Sequence, residues 1–248
     1  MVELMVSVLL FTVISTAGFI MFISSQSAWA LTDANVHMQR NVRQILQRIS
    51  AELQESGRNS AGTLQVTILD GSGVNGSDVV RFAVPICPCG VNTMNNDGDV
   101  QYWGAPQQWG QSGCSTSYTI DQNNKVTICH LPPGNPNNTQ TLSVNENAVM
   151  SHMAHGDWVG DCSVCNPANY TNRFVEYSMD TSNRLIRKVL DINLATVSQA
   201  VIADSLSTFQ VTLDGGQTMV NLSIGLSRIA SQNRTVTMND DLDVILRN

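Results

Sequence analysis

Charge is scarce in this 248-residue chain. Asp, Glu, Lys and Arg make up 13% of it, against ~25% in an ordinary soluble domain. Asn, Ser, Thr, Gln and Gly carry the polarity instead, which suits a secreted or surface-displayed protein of strands and loops. The net charge is -7 and no basic block occurs, so bulk nucleic-acid binding through phosphates is not expected. Aromatics are only 6% of the chain, and the N-terminal segment holds Phe11, Phe19 and Phe22, which gives no support to a continuous stacked-ring conductor. No Lys or Arg precedes Arg40, no proline precedes Pro85, and no cysteine lies outside Cys87–Cys165. Nucleophile elbow, phosphate loop and a persuasive pair of acids are all missing, so the chain is not expected to be an enzyme.

What is present begins with MVELMVSVLLFTVISTAGFIMFIS. Leu4–Ile23 is almost wholly apolar, and as a helix it would span about 30 Å, the thickness of a bilayer core. A signal peptide would place basic residues before a shorter apolar core. A plain anchor would carry flanking Lys or Arg. Neither pattern fits, because the run is preceded by an acid, Glu3. The helical pattern then continues, with Val42, Ile45, Leu46, Ile49 and Leu53 forming an amphipathic stripe. Arg40, Arg43, Gln44, Gln47, Arg48 and Glu52 take the other faces. One helix is expected from Val2 to Glu55, ended at Ser56-Gly57 with Gly57 as a C-cap. Gly18 is either a packing notch or a point of local unwinding.

Beyond Gly62 the texture becomes β. Leu64, Val66 and Ile68 alternate with polar residues, and SDVVRFAV (77–84) reads as the next strand. RFVEYSM (173–179) and RLIRKVL (184–190) flank DTSN as a hairpin. FQVTL (209–213) and MVNLSIGL (219–226) flank DGGQ as another. TVTM and DVIL are expected to form a final pair. The fold class is therefore α+β, a long N-terminal helix packed on an antiparallel sheet. Residues 1–56 form the helix, 57–84 and 170–248 the sheet head, and 85–169 an insertion that holds all six Cys and every Trp except Trp29.

The short start, the Glu and the run LMVSVLLFTVI at the head of a long helix resemble the mature end of a type IV pilin or pseudopilin. VEYSMDTSNRLIRKVL and the ending VILRN are similar, more loosely, to the branch with larger, minor subunits. The resemblance implies a structural subunit of an extracellular filament, held in the inner membrane until assembly. Its partners would be copies of itself, other pilins, the pilus assembly machinery and a prepilin peptidase that exposes an N-terminus for methylation. Glu3 would then be the assembly residue, pairing with the N-terminal amine of a neighbour. Glu stands third here and fifth in the family, which points to two residues missing from the start of the chain. The alternatives are a priming or tip subunit, a type II secretion pseudopilin, or a membrane-tethered metal-binding or adhesive module.

Within the insertion, KVTICHLPPGNPNNTQTLSVNENAVMSHMAHGDWVGDC resembles a module of secreted bacterial proteins, with Cys-His-x-Pro-Pro-Gly-Asn at its start and His-x-x-His-Gly-Asp before a closing Cys. His152 and His155 share a face if AVMSHMAH is helical. With His130 and Asp157 they would make an N and O ligand set for zinc or copper. The competing reading is a module stapled by a Cys129–Cys162 disulfide, in which those side chains bond loop backbone. Clustered cysteines in a polar stretch suggest disulfides in an oxidising compartment. The remaining pairs are expected to join Cys114 and Cys165 to Cys87 and Cys89 in either order. A zinc site of Cys87, Cys89, Cys162 and Cys165 is the rival, although Cys-x-Cys is tight for one tetrahedral ion. Asn95, Asn96, Asp97 and Asp99 suggest calcium, but EF-hand spacing is not met.

Overall fold

The computed structural model describes residues 2–86, 100, 102–107, 109, 118–133, 135, 138–163, 168–230 and 234–247. Cys87, Cys89, Cys114, Cys165 and the Asn95–Asp99 loop lie outside them. Helix α1 runs unbroken from Val2 to Leu53, through Gly18, around which a side chain would meet nothing. Residues 2–26 are exposed on every side. The second half is clamped to the head by Met38, Val42, Ile45, Leu46, Ile49 and Leu53, all buried. An apolar helix of this length is compatible with membrane anchoring.

After α1 come β1 (Val66–Leu69), β2 (Val79–Phe82), β3 (Val84–Pro85) and β4 (Trp103–Gly104). The insertion then supplies β5 (Lys125–His130), β6 (Gln140–Asn145), α2 (Glu146–Ala154), β7 (Trp158–Val159) and a helical turn, α3 (Ala168–Thr171). The chain closes with β8 (Phe174–Met179), β9 (Leu185–Leu190), β10 (Thr196–Ala203), β11 (Leu206–Leu213), β12 (Met219–Ile229) and β13 (Thr235–Ile245). A five-stranded antiparallel sheet has the order β1-β2-β8-β9-β10, and a three-stranded one the order β11-β12-β13. The two are tied at Asp78, whose carboxylate accepts the Gly71 and Val211 amides. Both sheets and α1 share one apolar core built around Phe82, Tyr177 and Phe209. Ile86 and Ala105 join it from beside β3 and β4.

Two expectations are corrected, for the C-terminal strand pair and for Glu52. TVTM and DVIL are one strand, β13, in register with β12 along its whole length. Its inward positions Val236, Met238, Leu242 and Val244 keep a period of two straight through the acidic stretch. Strand β10 had no sequence signal, because most of its side chains are exposed; it pairs with β9, and Ile202 and Ala203 at its end pack on the core. In the DGGQ turn the left-handed residue is Gln217, while Asp214 accepts three amides. Glu52, assigned to a polar face, is buried. Arg187 and Tyr177 of the sheet reach it.

Gly57 is needed, though not as a left-handed cap. It forms a parallel bridge with Arg247, whose amide donates to the Ser56 carbonyl at 2.8 Å. A Cβ on Gly57 would fall on the Arg247 carbonyl oxygen. Both clashing atoms belong to fixed backbone, so neither can swing aside. Gly57→Ala is expected to destabilise the head by about 2–3 kcal/mol in urea unfolding. A loss under ~0.5 kcal/mol would show that the C-terminal strand end can slide away from the helix.

Candidate functional site

Strand β5 is the middle of a small antiparallel sheet of order β6-β5-β7. Val126 and Ile128 point to one face, where Val149 and Met153 of α2 cover them. On the other face Cys129 packs with Trp158 and bonds to Cys162. Helix α2 starts at Asn145, whose side chain accepts the Asn147 amide at 3.1 Å. It ends at His155.

Gly156, with φ of +94°, turns the chain through a conformation that glycine tolerates best. The turn carries Asp157 back beneath the helix, where its amide donates to the His152 carbonyl at 3.2 Å. Asp157 is wholly buried. Its Oδ2 accepts from His130 Nδ1 at 2.8 Å and from His152 Nδ1 at 2.7 Å, and its Oδ1 accepts the Leu131 amide at 2.8 Å. The two imidazoles meet edge to face, 5.6 Å between ring centres. Burial pushes the Asp157 carboxyl up. Hydrogen bonds from His130, the Leu131 amide and His152 outweigh that push and hold it below the ordinary carboxylate value.

His130, His152 and Asp157 thus converge, their ligand-capable atoms all within 4.8 Å of one another. His155 does not join them. The helix stops at Ala154, and His155 is an exposed cap residue with φ of -91° and ψ of 1°. The i, i+3 geometry that would align it with His152 ends one residue too early. Its ring is free of the group, and its amide closes the helix on the His152 carbonyl. The Leu131 amide was not foreseen as a donor; backbone amides carry no residue signal. Glu3 lies exposed in the first turn of α1, where the helix dipole favours an acid.

The module motif can be read position by position. Cys129 makes the disulfide, His130 takes Oδ2 of the acid, and the Pro132 carbonyl accepts the Asn135 amide in the following turn. His152 supplies the second imidazole, Gly156 the turn, and Asp157 the buried acid. Compared with known proteins, the chain matches no family model, no curated protein and no solved structure.

Proposed function

We propose that the chain is a structural subunit of a helical surface filament of the type IV pilus class, with α1 as the filament core. One observation carries the reading: a continuous helix whose outer half is apolar and bare on all sides, with one carboxylate, Glu3, in its first turn. The inner half packs on the head, and the same continuous helix carries the bare half beyond it. Lipid would cover it in a solitary subunit, and neighbouring helices would cover it in a polymer. Each 100 Å² of apolar surface so removed from water is worth about 2.5 kcal/mol.

An acid inside hydrocarbon is costly. The N-terminal amine of the next subunit would offset that cost and set the register of assembly. The role is structural, with the sheet head and its disulfide-bonded insertion facing outward at the cell surface. Glu3→Ala is expected to insert in the inner membrane normally and to be absent from sheared filaments, measured by quantitative mass spectrometry of both fractions. Normal incorporation of the variant would defeat the reading. It would favour a membrane-tethered display module, which the separate core of the insertion supports.

A further inference from the structure

Among the described residues the buried Asp157 carboxylate has no permanently charged partner. Among the described residues its ion-pairing neighbours are His130 and His152, which are charged only when protonated. The other buried carboxylates divide: Asp78 is held by the Gly71 and Val211 amides, which donate to both of its oxygens, whereas the two buried glutamates have cations. Glu52 is met by Arg187, and Glu176 by Arg81 and Lys188. A carboxylate taken out of water without a cation beside it is expensive.

Hydrogen-bond roles sharpen the point. Oδ2 of an ionised carboxylate can only accept, so each Nδ1 bonded to it must carry a proton. In a neutral imidazole Nε2 is then a bare lone pair. With both imidazoles neutral, the cluster offers one negative charge and two electron-pair donors to a cation. A backbone-capping aspartate needs no imidazole, as Asp214 shows by capping its turn with amide donors.

We infer that His130, His152 and Asp157 bind one borderline divalent transition-metal cation, with zinc the ion they suit. Two imidazole nitrogens and one carboxylate oxygen are a zinc donor set that leaves a fourth position to water. Calcium and magnesium require shells of oxygen, which these residues do not offer. The access route fits as well. The Asp157 side chain is 1% exposed, whereas those of His130 and His152 are 26% and 27% exposed. An ion therefore arrives from solvent onto an anion already fixed below.

The three ligands come from the end of β5, from α2 and from the turn after it, and the Cys129–Cys162 bond pins the first to the segment beyond the third. To ligate beside the Asp157 oxygen each Nδ1 gives up its proton, and each neutral ring takes one up at Nε2 from solvent, so the ion replaces the two shared protons and the net proton count is unchanged. The site is separate from α1, so it stands whether or not the filament reading holds.

The test uses the full chain in detergent, purified without a polyhistidine tag and without chelators. Elemental analysis is expected to find one zinc per chain. After stripping, calorimetric titration with zinc chloride should restore one site. Copper(II) should bind at the same stoichiometry and more tightly, and calcium should give no heat. His152→Gln and Asp157→Asn should each weaken zinc binding by at least about tenfold, while His155→Ala leaves it unchanged. Far-ultraviolet circular dichroism and an intact Cys129–Cys162 bond by mass spectrometry establish that each variant folds. Should a variant misfold, the unmodified chain decides alone. No bound metal and no zinc heat at roughly 100 μM would overturn the inference and leave a histidine–aspartate knot that a protonated imidazole neutralises. Equal affinity in all folded variants would overturn it too, by placing the ion elsewhere.

Discussion

Glu52→Ala is expected to cost the head about 3–5 kcal/mol of stability, the usual penalty for stripping one partner from a buried ion pair. Glu52 lies on α1 and Arg187 on β9, and both are buried. The guanidinium clasps the carboxylate through Nε at 3.0 Å to both oxygens and Nη2 at 2.7 Å to Oε1. Tyr177 donates its hydroxyl to Oε2 at 2.8 Å, and Arg187 Nη2 also reaches the Pro106 carbonyl at 3.1 Å. Burial and the nearby Glu52 charge drive the Tyr177 hydroxyl well above its ordinary value, so it stays a donor.

Alanine at position 52 would leave the phenol facing a cavity without its acceptor and the guanidinium with the Pro106 carbonyl in place of a carboxylate. Desolvation has already been suffered, and only the compensation is removed. The pair itself need not be worth that much. Glu52→Leu combined with Arg187→Met is expected to recover most of the loss, because two apolar chains of similar volume carry no desolvation cost. Urea unfolding of the full chain in detergent, followed by tryptophan fluorescence, measures both. If the single variant loses less than ~1 kcal/mol, water reaches the pair and the interface is looser than its geometry indicates.

This ion pair also marks where sequence reading stops. The stripe from Val42 to Leu53 was visible because apolar residues repeat with the helical period. Glu52 sits beside that stripe and looks like any solvated acid. Its partners are more than a hundred residues away, and no local pattern announces a contact of that range. The hairpins around DTSN and DGGQ were legible because turn chemistry is local. Strand β10 was not, since a mostly exposed edge strand shows no alternation. Strand β13 was split because its acidic stretch resembles a turn, although its inward residues never lose step. At the candidate site, the sequence supplied His130, His152 and Asp157 together. It also supplied His155, because spacing alone cannot show that a helix ends one residue before it. Gly57 was rightly singled out and wrongly explained, for a close backbone approach and a cap make the same demand on residue type.

Loss of the Cys129–Cys162 bond is expected to unfold the small β5–β7 unit while the head remains folded. Two facts make this a sharp expectation. The unit buries little of its own: Val126, Ile128, Val149 and Met153 form one small cluster, and Cys129 with Trp158 another. The head core, by contrast, contains Phe82, Tyr177, Phe209 and most of the remaining buried aliphatics. The bond spans 33 residues, and a cross-link of that span is worth roughly 3–4 kcal/mol through the entropy it removes from the unfolded chain. That exceeds what so small a core can supply. The double variant Cys129→Ala, Cys162→Ala avoids leaving a reactive thiol. Hydrogen exchange, run in chelator so that no metal compensates, should show the amides of β5 losing protection about a hundredfold or more. Those of β8 and β9 should change little. Parallel loss across both sets would mean that insertion and head unfold as one cooperative body. Unchanged protection in β5 would mean that the Asp157 hydrogen bonds and the two small clusters hold the unit without the bond. The first outcome would make the insertion part of the core fold, and the second would make its disulfide dispensable. Only selective loss fits an insertion held in shape by its own staple on a head that does not need it.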